Sequence, residues 1–237
     1  MRRQRETAGL PAQPQPVDPP HHSPLRGSIV REVAEALLTI GAVFLFFIAY
    51  QMVGKSATVA REQGRLGSEL DRIWQGVPGV AHSSQNGPDS SNLTPPPGAP
   101  FARLRIPSLS ASWTVVEGVS TSALRNSPGH YPGTALPGEI GNFALAGHRS
   151  AGLFLDLDRL TTASTVEVET KTWLFTYRVY QLAVVKPDAT SVIDANPDQP
   201  GLLPFKRVLT LTTCHPRWSN TSRLIVHASL VDMRVKP

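Results

Sequence analysis

The one cysteine in this 237-residue chain, Cys214, closes the run LTLTTC, with Pro216 two positions later and Arg223 nine positions later. A thiol attacks a carbonyl only as the thiolate, and free cysteine has a pKa of about 8.5, so nucleophilic chemistry here needs a base or a cationic neighbour. The candidates are His130, His148, His215 and His227, with Arg217 and Arg223 as permanent cations. His215 adjoins the cysteine, and in an extended backbone it points to the opposite side. His227 lies within the next strand-like run, where a satisfied structural histidine is equally at home. His148 ends the apolar run FALAG and opens the loop HRSAG, so its side chain can reach over the end of a sheet. Arg223 begins a strand-like run after a loop of about eight residues that starts at the cysteine. If the two runs are antiparallel neighbours, Cys214 and Arg223 meet at one end of the sheet. There a guanidinium can hold a carbonyl or stabilise an oxyanion. Each residue also has a plainer use: a lone cysteine as a small buried hydrophobe, the histidine as a turn residue, the arginine as a solvated flank. One cysteine forms no intramolecular disulfide, and a Cys/His/His set without closely paired ligands does not read as zinc spacing, so no metal is expected.

The elements that must hold these residues are strands. Ala102, Leu104 and Ile106 alternate with Arg103 and Arg105, the two-residue period of a half-buried strand. Similar runs occupy 113–119, 143–148, 165–170, 173–185, 207–214 and 222–231, separated by Gly/Pro clusters such as SPGHYPGTALPGEIGN and NPDQPG. Short strands with such turns predict a barrel or sandwich of about 130 residues. Within it a helical turn is expected only at LFLDLDRL, 153–160, and no internal repeat is present.

The first hundred residues have another character. Residues 1–27 are rich in proline and poor in aromatics, a composition that cannot bury a core. Nineteen uncharged residues separate Glu35 from Lys55. As a helix they reach about 28 Å, close to the hydrocarbon thickness of a bilayer, and they show no polar face. An uncleaved anchor over 36–54 is therefore expected, with Tyr50 at an interface. Beyond it, Val59, Leu66, Leu70, Ile73 and Trp74 recur at roughly helical spacing and predict a short amphipathic helix over 57–75, followed by a spacer rich in Gly, Pro and Ser over 76–100. Arg26 and Arg31 flank the span on one side, and Lys55, Arg61, Arg65 and Arg72 on the other, so charge alone does not orient it. The net charge of +5 comes from scattered basic residues without a nucleic-acid motif, so no nucleic-acid partner is expected.

TLTTC with Arg223 downstream resembles the Thr-Leu-x-Thr-Cys signature and following arginine of the sortases, and GHYPGTALPGEIGNFALAGHR, 129–149, resembles the stretch that carries their histidine. LAGHR together with TLTTCHPRWSNTSRL is most similar to class E of high-GC Gram-positive bacteria, with class D a close second. The resemblance implies an all-β, eight-stranded barrel over 101–232, with 1–35 as a cytoplasmic tail, 36–54 as a transmembrane helix, 55–100 as juxtamembrane helix and flexible linker, and 233–237 as a C-terminal tail. It implies an N-terminus inside the cell and a catalytic domain outside the membrane. It also implies roles: Cys214 as nucleophile, His148 as general acid/base, Arg223 as the residue that orients substrate and stabilises the oxyanion, and Thr212 and Thr213 as substrate-binding. The implied partners are secreted proteins bearing a Leu-Ala/Pro-x-Thr-Gly sorting signal and a cell-wall amine that receives them, with no cofactor. In the family the reactive form is usually a small fraction that pairs a thiolate with an imidazolium.

Two other readings stay open at this level. An L,D-transpeptidase also uses a cysteine on the cell wall, but its His-Gly and Ser-x-Gly-Cys patterns are missing. A membrane-tethered β-barrel binding module would keep Cys214 as a buried structural thiol.

Overall fold

The computed structural model describes residues 25–76 and 95–236, with side chains for all of these except 25–29, 49 and 51–55. The chain divides into two units, one ending at Ile48 and the other beginning at Ala49. A helix, α1, spans Leu25–Gln75. The helix predicted over 57–75 is thus the end of a longer one rather than a separate element. In the first unit every large apolar side chain described from Leu37 to Ile48 is exposed. Among the described residues no helix is long and apolar enough to cross a membrane. Residues 49 and 51–54 of the span predicted over 36–54 lie outside the described side chains, and 1–24 of the predicted tail and 77–94 of the predicted linker lie outside the described residues.

The second unit is a closed barrel of eight strands: β1 Pro100–Ile106, β2 Ala111–Glu117, β3 Gly129–His130, β4 Gly141–Ala146, β5 Thr165–Glu169, β6 Trp173–Val185, β7 Arg207–His215 and β8 Ser222–Val235. Around the barrel the order is β1-β2-β3-β4-β7-β8-β6-β5, with β2/β3 and β4/β7 parallel and the other pairs antiparallel. The alternation read in β1 has its physical cause here. Ala102, Leu104 and Ile106 point into the core, while Arg103 and Arg105 stand opposite Glu169 and Glu167 of β5 and pair with them at 3.2 and 3.8 Å.

A one-turn helix at Thr121–Leu124 adds to the helical turn expected at 153–160, and three further elements differ from the sequence-based expectation. β3 is two residues inside a Gly/Pro cluster that reads as turn, and it joins β2 to β4 through Gly129 and His130. A Cβ on Gly129 would lie 2.2 Å from the carbonyl oxygen of Gly118, so this close strand approach requires glycine. β8 continues to Val235, beyond the predicted end of the domain at 232, because β6 pairs with it as far as Trp173↔Val235. The end of α1 belongs to the barrel unit: Val59, Leu66 and Leu70 are buried, and Gln63 accepts a hydrogen bond from Thr114 N at 2.6 Å and donates one to Asn126 O at 2.8 Å. Residues 59, 63, 66 and 70 share one helical face, which docks on the outside of β2.

Candidate active site

β7 carries the predicted cysteine, and its pleat sorts the residues around it. Leu209 and Leu211 belong to the barrel core, so Thr210, Thr212 and Cys214 face outward. β8 follows the same rule, with Leu224, Val226 and Ala228 inside and Arg223, Ile225 and His227 outside. Cys214 and Arg223 are direct cross-strand partners, on the same outer face at the β7–β8 turn. Cys214 is half-buried. The Arg223 guanidinium is anchored at the turn, its Nη1 donating to Asn220 O at 2.9 Å and Ser222 O at 3.0 Å.

β4 lies on the other side of β7, in parallel register from Gly141↔Arg207 to Ala146↔Thr212. Gly147 continues the ladder, donating to Thr212 O at 3.0 Å. Phe143 and Leu145 face the core, so His148 follows on the outward parity of Ala144 and Ala146, and it is exposed. The barrel therefore gathers Cys214, Arg223 and His148 at one end of three adjacent strands, on one face.

The two threonines of the motif separate. Thr212 is outward and buried. Its hydroxyl donates to Leu145 O at 3.2 Å and accepts from the Tyr131 hydroxyl at 3.1 Å. Thr213 is on the inward parity opposite Leu224, and among the described residues its Oγ1 is the one buried side-chain oxygen or nitrogen without a hydrogen-bond partner.

The remaining histidines are engaged elsewhere. His130 is buried, with Nδ1 at 2.6 Å from Glu117 Oε2, while Nε2 reaches Thr134 Oγ1 at 2.8 Å and Ala135 O at 3.1 Å. Thr134 spends its hydroxyl hydrogen on Tyr131 O, so this buried network fixes the turn that presents Tyr131 to Thr212. His227 packs against Tyr180 with ring planes 17° apart, and Nδ1 lies 2.8 Å from Thr210 Oγ1. Thr210 donates its hydrogen to Asn142 Oδ1 at 2.6 Å, so it accepts from His227, whose proton sits on Nδ1. Burial holds the His227 pKa below the usual imidazole range, and the Asp198 carboxylate offsets this only in part. Asn142 Nδ2 also donates to Val192 O and Asp194 O, which draws the β6–β7 connection over the outer face of β4. That cover explains why every residue of β4 is buried.

Arg149, next to His148, was not singled out in the sequence, and it joins the parts of the site. Its guanidinium is 2% exposed and pairs with Asp158 at 2.8 Å. It donates to Leu155 O at 3.3 Å, to Cys214 O at 3.4 Å and to His215 Nδ1 at 2.6 Å. His215 is therefore occupied by Arg149. Arg217, after the cysteine, pairs with Asp156 and Asp158 at 2.9 and 3.2 Å. Burial alone would raise the Asp158 pKa, but the hydrogen bond from Arg217 and the charge of Arg149 hold it below the usual carboxylate range. The only sequence signal for Arg149 was its place in LAGHR, and for Tyr131 its place in GHYPG; neither reveals a partner 65 or more positions away.

Comparison with known proteins identifies the family. The sortase domain model matches residues 104–231. The chain is 31% identical over 214 residues to sortase SrtE1 of Streptomyces coelicolor, covering 86% of this chain and 58% of that protein. It thus spans little more than half the length of that relative. Sortase E of Streptomyces avermitilis superimposes with a TM-score of 0.54 at 37% identity, over 60% of this chain and 97% of the other. Sortase E1 of Streptomyces coelicolor, solved with a tripeptide in its active site, gives a TM-score of 0.55 at 34% identity, over 61% and 98% of the two chains. A barrel that aligns its cysteine with an arginine across the strand, and matches that domain over more than half of its length, makes this chain a member of the sortase family of cysteine transpeptidases, most similar to class E.

Proposed function

We propose that this chain cleaves the Thr–Gly bond of a Leu-Ala-x-Thr-Gly or Leu-Pro-x-Thr-Gly sorting signal and transfers the protein carrying it to an amine of the cell wall. The observation that carries this reading is the cross-strand pairing of Cys214 with Arg223, beside the end of β4 from which the loop carrying His148 begins. The Cys214 thiolate attacks the threonine carbonyl, and a C–S bond forms. Arg223 N–H groups stabilise the oxyanion, and Thr212, outward on the same face as Cys214, is assigned to the substrate-binding site. As the oxyanion collapses, the C–N bond breaks and the His148 imidazolium gives its proton to the departing glycine amine. The thioester is then attacked by the wall amine. His148 takes the proton of that amine, an amide forms, and the thiolate leaves.

The same reading assigns residues 36–54 to a membrane anchor, with the N-terminus in the cytoplasm and the barrel outside. An apolar helical stretch whose large side chains from Leu37 to Ile48 are all exposed fits a lipid environment better than water. The partners are secreted proteins with C-terminal sorting signals, the amine of a peptidoglycan precursor, and the cytoplasmic membrane. The tripeptide in the active site of sortase E1 supports a peptide substrate. The test is cleavage of quenched fluorescent peptides of the two motifs by the purified chain. Cys214→Ala, His148→Ala and Arg223→Ala each remove most of the turnover; undiminished turnover in the cysteine variant contradicts the mechanism.

A further inference from the structure

The loop that carries His148 is held from both ends, and one of its supports lies outside the matched domain. At the start, a Cβ on Gly147 would come 2.5 Å from the Phe154 ring, so the backbone beside His148 rests directly on that ring. Phe154 N closes the loop by donating to His148 O at 3.1 Å. Trp113 of β2 meets Phe154 edge-on, with centroids 5.2 Å apart, and its indole Nε1 donates to Gly152 O at 2.8 Å. Gly152 has φ of +84° and is closed on its remaining side by α1: a Cβ there would be 3.1 Å from Val59 Cγ1 and 3.7 Å from Ser56 Cα. Val59 is 6% exposed and belongs to the same core cluster as Trp113, Leu153 and Phe154. Four positions on, Gln63 fixes the register of the helix by bonding the backbone of Thr114, the residue after Trp113. The contacts run without a gap from Val59 through Gly152, Trp113 and Phe154 to Gly147, with His148 between the two glycines.

We propose that the segment of α1 from Ser56 to Leu70 is a positioning element of the catalytic centre, and that Val59, seated on Gly152, sets the placement of His148. The family match begins at residue 104, so this part lies upstream of the domain that defines the family. Val59 touches neither substrate nor thiol. It acts through the loop, and the inference rests on the reading of His148 as the acid–base group.

The experiment uses the full-length chain in detergent micelles and compares Val59→Ala, Gly152→Ala, the double variant, and Val168→Ala, which opens a comparable space in the core on β5. Two readouts are taken: kcat and KM on a quenched sorting peptide, and hydrogen exchange of the amides of 149–154. In Val59→Ala, kcat falls about fivefold to tenfold with KM within twofold of wild type, and exchange of the Leu153 and Phe154 amides quickens about tenfold while the β7 amides are unchanged. Gly152→Ala, which puts a methyl 3.1 Å from Val59 Cγ1 and strains a backbone at φ of +84°, lowers kcat in the same way. The double variant recovers part of the loss, because the new methyl enters the space left by the valine; such non-additivity is the mark of direct contact. Val168→Ala leaves kcat and loop exchange within twofold of wild type. If Val59→Ala matches Val168→Ala in both readouts, or the double variant shows strictly additive losses, the inference is overturned. Absence of turnover in the wild-type chain overturns the transpeptidase reading instead.

Discussion

Arg149 donates a 2.6 Å hydrogen bond to the ring of His215, and the same guanidinium reaches the backbone carbonyl of Cys214. One buried cation thus ties the loop that begins at His148 to the strand end that carries the thiol. Asp158, which pairs with both Arg149 and Arg217, extends this tie to the β7–β8 connection.

Replacing Arg149 with methionine leaves Asp158 and three acceptors without this donor. Hydrogen bonds to a charged group contribute about 1.5–3 kcal/mol each, and the partly exposed Asp158 recovers water, so a loss of roughly 2–3 kcal/mol in unfolding free energy is expected. Turnover falls more than tenfold with KM little changed, since the residue aligns the site and does not bind the peptide. Arg149→Lys retains only part of both, because a point cation cannot serve acceptors arranged around a planar fork. Urea titration together with steady-state kinetics on a sorting peptide measures the two effects separately.

Thr213 separates stability from activity. Its buried hydroxyl lacks a partner, and such a group costs about 1–3 kcal/mol when left unmet. Thr213→Val keeps the shape and removes the orphan, so stability is unchanged or rises by about 1 kcal/mol. A side chain on the inward face cannot reach the acyl oxygen on the Cys214 face, so kcat stays within about twofold of wild type. A tenfold loss of kcat in a valine variant that is no less stable would contradict this and put the Thr213 hydroxyl in the binding site.

His227 makes a pH-dependent contribution. Burial lowers its pKa in the folded state, so below about 6.5 the unfolded chain takes up a proton that the folded chain does not. Stability therefore falls as pH drops from about 6.5 toward the depressed folded-state pKa. His227→Gln removes this part of the slope, because glutamine can still donate to Thr210 without titrating. Melting temperatures of the two proteins between pH 5 and 8 should converge at the acid end relative to their separation at pH 8; parallel curves would contradict this.

What was legible in the sequence follows from what leaves a local mark. Strands with one buried face are visible as alternation, as in Ala102, Leu104 and Ile106, and the apolar run Phe143–Ala146 marks a strand covered on both faces. The Cys214–Arg223 pairing was readable because a short loop between two strand-like runs leaves few registers. β3 was hidden because two residues carry no periodicity. The end of β8 was hidden because Asp232 to Val235 are exposed on both faces and owe their conformation to β6. The stripe of Val59, Leu66 and Leu70 was visible, but a stripe does not name the surface it covers. Arg149 is marked only by its place in LAGHR, because its partners Leu155, Asp158, Cys214 and His215 come together only when the barrel closes.

The most direct test of the transpeptidase account is the covalent intermediate. The full-length chain is mixed with a Leu-Ala-x-Thr-Gly or Leu-Pro-x-Thr-Gly peptide without added amine, quenched in acid, and weighed intact. The expected result is an added mass equal to the peptide acid ending at its threonine less one water, located on Cys214, released by hydroxylamine and absent in Cys214→Ala. Cleavage of the peptide with no adduct on Cys214, or with the same adduct on the alanine variant, would contradict it.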